Sequence, residues 1–325
     1  MMRAIQIDRH GGAEVMREVE IAVPDPGPGE VRVRHRAIGV NFVDTYYRSG
    51  LYPAQLPLVL GGEGAGIVDA VGAGVSHVKA GDRVAYAART PGSYAEARVL
   101  DAAQVVRLPD SIDFDTGAAM MLKGMTVQYL LKRTRHGLER GDAIVWHAAA
   151  GGVGLIACQW AKALGYELIG TAGSREKCEL ARAHGAAHVI EYRTEDVVAR
   201  VKQLTNGRGV RCVFDSVGKD TWERSLDCLA PLGLMVTFGN ASGPVPPVSL
   251  LELSRRGSLY VTRPTLYTHT ATREVCQQMA DDLFAVVASG QVEIAIGQRF
   301  PLAEARRAHE ALESRATTGA TILEV

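Results

Sequence analysis

The chain lacks an excess of charge of either sign: 36 Lys and Arg stand against 36 Asp and Glu. That balance supplies no positive field to hold a phosphate backbone or an anionic membrane surface, so nucleic acid is not the expected partner. Cysteine is sparse and absent before Cys158. The five that occur, Cys158, Cys178, Cys212, Cys228 and Cys276, form no CxxC pair and sit inside regular segments. They read as reduced core or helix residues in a cytoplasmic setting, not as a disulfide framework. The N-terminus, MMRAIQIDRH, is charged early and carries no apolar core, so no secretory signal is expected. Nor is there an uninterrupted membrane-length helix. Ala143 to Ala161 contains no Asp, Glu, Lys or Arg, but Gly151-Gly152-Val153-Gly154 at its middle would weaken a helix there. The segment parses better as strand, glycine turn and helix. No 20 to 50 residue repeat is present.

What is present suits two hydrophobic cores, since 325 residues are 47% hydrophobic. The first third has short alternating runs, Glu30-Val31-Arg32-Val33-Arg34 and Gly66-Ile67-Val68-Asp69-Ala70-Val71, that suit antiparallel strands in a compact β-barrel. From about Gly124 the rhythm becomes apolar strand followed by amphipathic helix, which predicts a parallel, doubly wound α/β sheet. Strands are expected at Ala143–His147, Glu167–Thr171, His188–Glu191, Cys212–Asp215, Leu234–Phe238 and Leu259–Thr262, with helices between them. After Arg263 mixed structure returns and ends in a strand-like Gly319-Ala320-Thr321-Ile322-Leu323 that should rejoin the first domain. The expected organisation is a discontinuous catalytic domain, residues 1–124 and 264–325, around a nucleotide-binding domain, residues 125–263, with the ligand in the cleft between them.

Ala149-Ala150-Gly151-Gly152-Val153-Gly154 follows a predicted strand and opens a predicted helix. Small residues there admit a pyrophosphate to the backbone, and the helix offers N–H groups and a positive dipole end. A turn that merely reverses the chain would use glycine too, but the strand, turn, helix, strand order favours a dinucleotide site. NAD sites place an acid at the end of the second strand to accept from the ribose 2′-hydroxyl. Here the segment is Thr171-Ala172-Gly173-Ser174-Arg175-Glu176-Lys177, with no acid at the strand end and a hydroxyl and two cations after it. That pattern predicts NADPH. The alternative is that Arg175 and Lys177 are solvated helix residues paired with Glu176 or Glu179. Tyr192, past the third strand, is expected along the same phosphate pocket. Asp215-Ser216-Val217-Gly218 and Phe238-Gly239-Asn240 close later strands, and both turns, with Ser216, Phe238 and Gly239, should face the nicotinamide half.

Read together, these motifs give the chain a resemblance to the zinc-independent quinone oxidoreductases of the medium-chain dehydrogenase/reductase superfamily, the group that includes zeta-crystallin. The resemblance spans essentially the whole chain. It is carried by Gly39-Val40-Asn41-Phe42-Val43-Asp44-Thr45-Tyr46, Gly62-Glu63-Gly64-Ala65-Gly66, Gly81-Asp82-Arg83-Val84, Ala148 to Gly154 and Ala316-Thr317-Thr318-Gly319. It implies an α/β protein with a GroES-like β-barrel catalytic domain and a Rossmann domain. Zinc alcohol dehydrogenases of the superfamily have a cysteine ligand where this chain has Asn41 and a histidine where it has Gly62. A cysteine-rich structural zinc lobe is also missing between Tyr86 and Tyr94, so no metal is expected. His10, His35, His77 and His147 read as surface or packed residues.

Without a Lewis acid, alcohol oxidation loses its means of stabilising an alkoxide, whereas a conjugated acceptor spreads the incoming charge over its own π-system. The resemblance therefore implies NADPH-dependent reduction of a quinone. Asn41 and Tyr46 are expected near the nicotinamide and its ribose, and Tyr52, with Thr126 or Lys123, toward the acceptor. The tyrosines read equally as packing aromatics with one satisfied hydroxyl. No side chain stands out as a dedicated proton donor, so solvent is expected to protonate the product. Asn240, Arg263 and Arg315 resemble family positions near the cofactor. An alkenal or enone reductase is the enzymatic alternative, and an NADPH-binding RNA-binding or structural protein the alternative of another class. A homodimer formed through the edge of the nucleotide-binding sheet is implied by the resemblance.

Overall fold

The computed structural model describes residues 1–134 and 137–325. Two compact units emerge: one comprises residues 1–126, 269–289 and 294–325, the other residues 127–268 and 290–293.

In the first unit, β1 (Met2–Ile7) pairs antiparallel with β2 (Arg17–Ile21). The long strand β3 (Glu30–Val40) runs into α1 (Phe42–Ser49) through Asn41. β1 also pairs with β4 (Leu58–Val59). β3 lies antiparallel to β5 (Glu63–Val71), which pairs in turn with β6 (Arg83–Ala87). β7 (Ala97–Asp101) pairs with β3, and β8 (Val105–Arg107) with β6. The alternation at Glu30–Arg34 does what a half-buried strand requires: Val31 and Val33 are sealed in a core with Val68, Val84 and Tyr86 while the charged residues face out. β3 and β5 extend past their alternating segments because glycines at their ends permit close pairing, Gly39 opposite Glu63 and Ile38 opposite Gly64.

Helix α2 (Phe114–Lys132) starts ten residues before the change of rhythm at Gly124. Its start signal is Asp113, whose carboxylate accepts the Thr116 N–H at 2.7 Å, an N-terminal cap that a search for apolar periodicity passes over. Gly124 lies within the helix because the Leu283 side chain occupies the space a Cβ would need.

The second unit holds six parallel strands, β9 (Ala143–Trp146), β10 (Glu167–Ala172), β11 (His188–Glu191), β12 (Val210–Asp215), β13 (Leu229–Thr237) and β14 (Tyr260–Thr262). Their order is β11-β10-β9-β12-β13-β14, the doubly wound arrangement that reverses direction between β9 and β12. α3 (Gly152–Leu164), α4 (Arg175–Ala183), α5 (Val197–Leu204) and α6 (Trp222–Asp227) connect them. Val145, Ile169, Ile190, Val213 and Met235 are buried along the sheet, which explains near-continuous apolar runs in place of alternation. The six strands stand within two residues of where the sequence predicts them, except that β13 begins at Leu229. Its first residue pairs with Val210 before a register shift, a long-range contact that Pro231 and Gly233 disguise as loop.

Helix α7 (Leu251–Arg255) lies between β13 and β14; after β14 the chain returns to the first unit through α8 (Leu266–His269) and α9 (Arg273–Ala288), followed by β15 (Ile296–Pro301), α10 (Ala305–Glu313) and β16 (Ala320–Glu324). β16 pairs antiparallel with the end of β3, Thr321 opposite Val40, so the C-terminal segment does rejoin the first sheet. None of the helices described is long and apolar enough to cross a membrane. All five cysteines are buried and free.

Candidate active site

In the second unit the sequence-predicted residues converge on the carboxyl ends of the parallel strands. After β9 the backbone turns through Ala148 at φ 56° and enters α3 with Gly151 as its N-cap. A Cβ on Gly154 would overlap the carbonyl oxygens of Ala148 and Ala149, so only glycine lets the helix sit this close to the strand. Gly151 brings no side chain to cap the helix, and its first turn has no acid. The leading N–H groups thus face the place where an anion would bind.

At the end of β10, the Tyr192 hydroxyl lies against Gly173, 2.7 Å from where a Cβ would stand. Ser174 caps α4, its Oγ accepting the Lys177 N–H at 3.4 Å. The Lys177 ammonium is held below its ordinary pKa, first by burial and then by the charge of Arg193. Two cations crowded together with no acid at the strand end fit a 2′-phosphate. Arg193 was not singled out in the sequence; its signal was a cation directly after Tyr192. Arg175 follows the alternative reading instead, pairing with Glu179 at 3.0 Å with its side chain 82% exposed.

The ends of β12 and β13 are tied together. Asp215 accepts the N–H groups of Val217 and Gly218 at 2.7 and 3.0 Å through one oxygen, and the Ser225 hydroxyl at 2.7 Å through the other. His147 bridges Ser225 and Thr171 at 2.9 Å each, and burial lowers its pKa, so it is a neutral packed residue. The Ser225 proton goes to Asp215, which makes His147 Nε2 a donor and Nδ1 an acceptor. This network fixes the turn that presents Ser216. Gly239 packs with its α-carbon against the Ser216 backbone, where a Cβ would overlap. The Arg263 guanidinium donates to the Gly239 carbonyl at 3.1 Å and to Thr237 Oγ1 at 3.2 Å. Phe238 packs against Trp146 with ring centroids 5.6 Å apart. Ser216, Phe238, Gly239, Asn240 and Arg263 thus form one cluster with the glycine turn on the same sheet edge.

The first unit assembles a buried polar cluster around Asn41. As N-cap of α1, Asn41 has its N–H accepted by the Asp44 carboxylate at 2.8 Å and donates its side-chain amide to Glu63 Oε2 at 2.8 Å. Glu63 also accepts the Leu122 N–H at 2.7 Å and the Lys123 ammonium at 3.1 Å. Asp44, wholly buried, is raised to about 7, mainly because desolvation disfavours its charge. The Tyr94 hydroxyl donates to Asp44 at 3.0 Å and lies 2.9 Å from His309, which contacts Arg48, itself paired with Glu313. Tyr46 and Tyr52 meet edge to face at 5.3 Å, and Tyr47 packs on Tyr52 at 5.7 Å. Thr126 stands one turn beyond Lys123 on α2, half-buried. Arg315 is exposed, in the turn after α10 at φ 59°. Glu63 and Asp44 went unnoticed as site residues in the sequence, although both lie inside the motifs that carry the resemblance. Among the described residues, no group of three or more His, Cys, Asp or Glu is placed to hold a metal.

A doubly wound nucleotide-binding sheet and an antiparallel unit completed by the C-terminal strand define a medium-chain dehydrogenase/reductase. Residues 152–284 match the zinc-binding dehydrogenase family model and residues 27–110 the alcohol dehydrogenase GroES-like domain. Within that superfamily the chain belongs to the quinone oxidoreductase family. It is 58% identical to a quinone oxidoreductase of Pseudomonas aeruginosa over 99% of both chains. It resembles the crystal structure of Escherichia coli quinone oxidoreductase complexed with NADPH, with TM-score 0.98, 52% identity and coverage of 99% and 100%. A 2-haloacrylate reductase of a Burkholderia species is 42% identical over 99% of both chains.

Proposed function

We propose that this chain catalyses NADPH-dependent reduction of quinones without a metal. The observation that carries the reading is the Asn41–Glu63–Lys123 cluster: the amide that stands where the resemblance implies a cysteine ligand in zinc relatives donates to a carboxylate that also accepts an ammonium. NADPH supplies a hydride when bound, and a conjugated acceptor takes it up with no Lewis acid. The protein's part is to bind, orient and exclude water. In this reading Ala150, Gly151, Gly152 and Val153 cradle the pyrophosphate. Gly173, Ser174, Lys177 and Tyr192, joined by Arg193, hold the 2′-phosphate. Ser216, Phe238, Gly239, Asn240 and Arg263 face the nicotinamide half, together with Asn41, Tyr46, Thr126 and Arg315. Asn41, Tyr46 and Tyr52 form the catalytic set, with Tyr52 toward the acceptor. The nucleotide-binding domain is residues 125–263 and the catalytic domain residues 1–124 and 264–325. The E. coli relative's complex with NADPH supports the cofactor. The test is NADPH consumption with benzoquinone or naphthoquinone in the presence of EDTA; no rate, or a rate only with added zinc, overturns the reading.

A second reading, reduction of an activated alkene, is favoured by the 2-haloacrylate reductase among the relatives. Comparing kcat/KM for a quinone and for an alkenal or haloacrylate separates the two. The enzyme acts as a cytoplasmic homodimer in this proposal. Support comes from the edge strand β14, where Tyr260 is 61% exposed, and from the nearby sequence, where Leu250 and Leu251 are 78% and 63% exposed. Light scattering that gives the mass of one chain would remove the dimer.

A further inference from the structure

We propose that the Lys123 ammonium is a binding site for an oxyanion, and that the oxygen it binds is the carbonyl oxygen of the acceptor. Lys123 stands on α2 with its side chain 7% exposed, and a buried cation needs its N–H groups occupied. It has three donors, and among the described residues one acceptor, Glu63 Oε2, takes one of them. A purely structural ion pair fastening α2 to β5 would consume the lysine's donors as fully as the glutamate's acceptors. Here the glutamate receives three donors, whereas the lysine finds one acceptor for its three N–H groups among the described residues. The glutamate's two oxygens receive the Leu122 N–H, the Asn41 amide and Lys123, and its side chain is 0% exposed against 7% for the lysine. The lysine is therefore the member of the pair that has donors left for a ligand.

Neighbouring residues hold that arrangement. Gly39 lies opposite Glu63 in the β3–β5 pairing, and a Cβ there would overlap both the Glu63 carboxylate and the Ala118 carbonyl oxygen. The glycine thus lets the carboxylate press against β3 and aim at Lys123. Asp44 adds no competing negative charge while its carboxyl is protonated. Thr126, three residues on, shares the helix face with Lys123.

The chemistry suits an acceptor reduced by two electrons. Such a reduction leaves negative charge on the carbonyl oxygen of a quinone or enone, and a preorganised cation in a site shielded from water stabilises that charge most. Lys123 also carries a proton at Nζ, next to the oxygen that must be protonated in the product. The assignment to the acceptor rests on the quinone reading, whereas the oxyanion site stands on the cluster's geometry.

The experiment titrates 4-nitrophenol into cofactor-free protein and follows the phenolate absorbance, a readout independent of turnover. Wild type should bind the phenolate in preference to the phenol, lowering the apparent pKa of the bound probe. Lys123→Met should weaken phenolate binding roughly tenfold or more, as expected for a lost charge-assisted hydrogen bond. That substitution leaves Glu63 buried without its cation, so the double variant Glu63→Gln/Lys123→Met, with neither charge, serves as the folded control and should show the same loss. Phenolate binding that is absent in wild type, or undiminished in the folded variants, overturns the site. If wild type fails to oxidise NADPH with quinones yet loses phenolate binding on substitution, the quinone reading falls and the oxyanion site remains.

Discussion

Changing Lys177 to Glu isolates the residue that should read the cofactor's 2′-phosphate. Lys177 lies in the first turn of α4, half-buried, with its pKa lowered by burial and by Arg193. Before any cofactor arrives, positive charge is crowded there, and a phosphate relieves the crowding. The substitution removes one charge-assisted contact, worth about 1.5–3 kcal/mol, and sets a carboxylate against the phosphate, a repulsion partly screened at a half-exposed position. Together these come to about 2–4 kcal/mol, or roughly 30- to 1,000-fold in NADPH affinity. Helix α4 should tolerate the change, because an acid in the first turn complements the helix dipole and Glu176 already stands there. NADH has no 2′-phosphate, so its affinity should move by no more than about threefold. Fluorescence titration of both nucleotides against wild type and variant supplies the four dissociation constants. Equal losses for NADPH and NADH, or an unchanged NADPH affinity, would refute the assignment and make Lys177 a general helix cation.

Gly39→Ala should cost about 1–3 kcal/mol in urea unfolding, because the new methyl group must displace the Glu63 carboxylate or part β3 from α2; a stability equal to wild type would mean the carboxylate has room to move. Asp44 folds better protonated, since its pKa rises from 3.8 unfolded to about 7. Its contribution is complete below about pH 4 and is lost as pH rises through 7, amounting to a few kcal/mol on the order-of-magnitude scale of linkage. Buried His35 and His309, lowered to about 4 and about 3, act in the opposite sense and lose stability as pH falls below 6.5. Asp44→Asn, which keeps an oxygen for the Asn41 N–H, should therefore steepen the rise in stability between pH 4 and 6.5; parallel wild-type and variant profiles would contradict the buried, protonated carboxyl.

Much of the nucleotide-binding unit was legible in the sequence because its signals are local. A parallel strand covered on both faces must be apolar along its length, and a helix that starts at a pyrophosphate must start with small residues, so Ala143–Trp146 and Gly151–Gly154 announce themselves. The absent acid after Thr171 is equally local. Arg193 was harder, because it joins Lys177 only through the pairing of β10 with β11. The division of labour between Arg175 and Lys177 was decided by which side chain turns inward, something that two neighbouring cations on a helix do not encode by type.

The first unit shows the opposite balance. Sequence alone showed the glycine-rich strands and the lack of cysteine before Cys158, and the resemblance at Asn41 led to the expectation of a site without metal. Tertiary structure decided what surrounds Asn41. Asn41, Glu63 and Lys123 lie 22 and 60 residues apart and meet only because Gly39 pairs with Glu63 and α2 packs across both strands. Contacts over such separations leave no periodic trace, since strand register and a helix's place on a sheet are set by the whole core. Glu63 reads singly as an ordinary charged residue and Lys123 only as an alternative to Thr126 toward the acceptor; burial together makes them a pair whose ammonium is left with donors to offer.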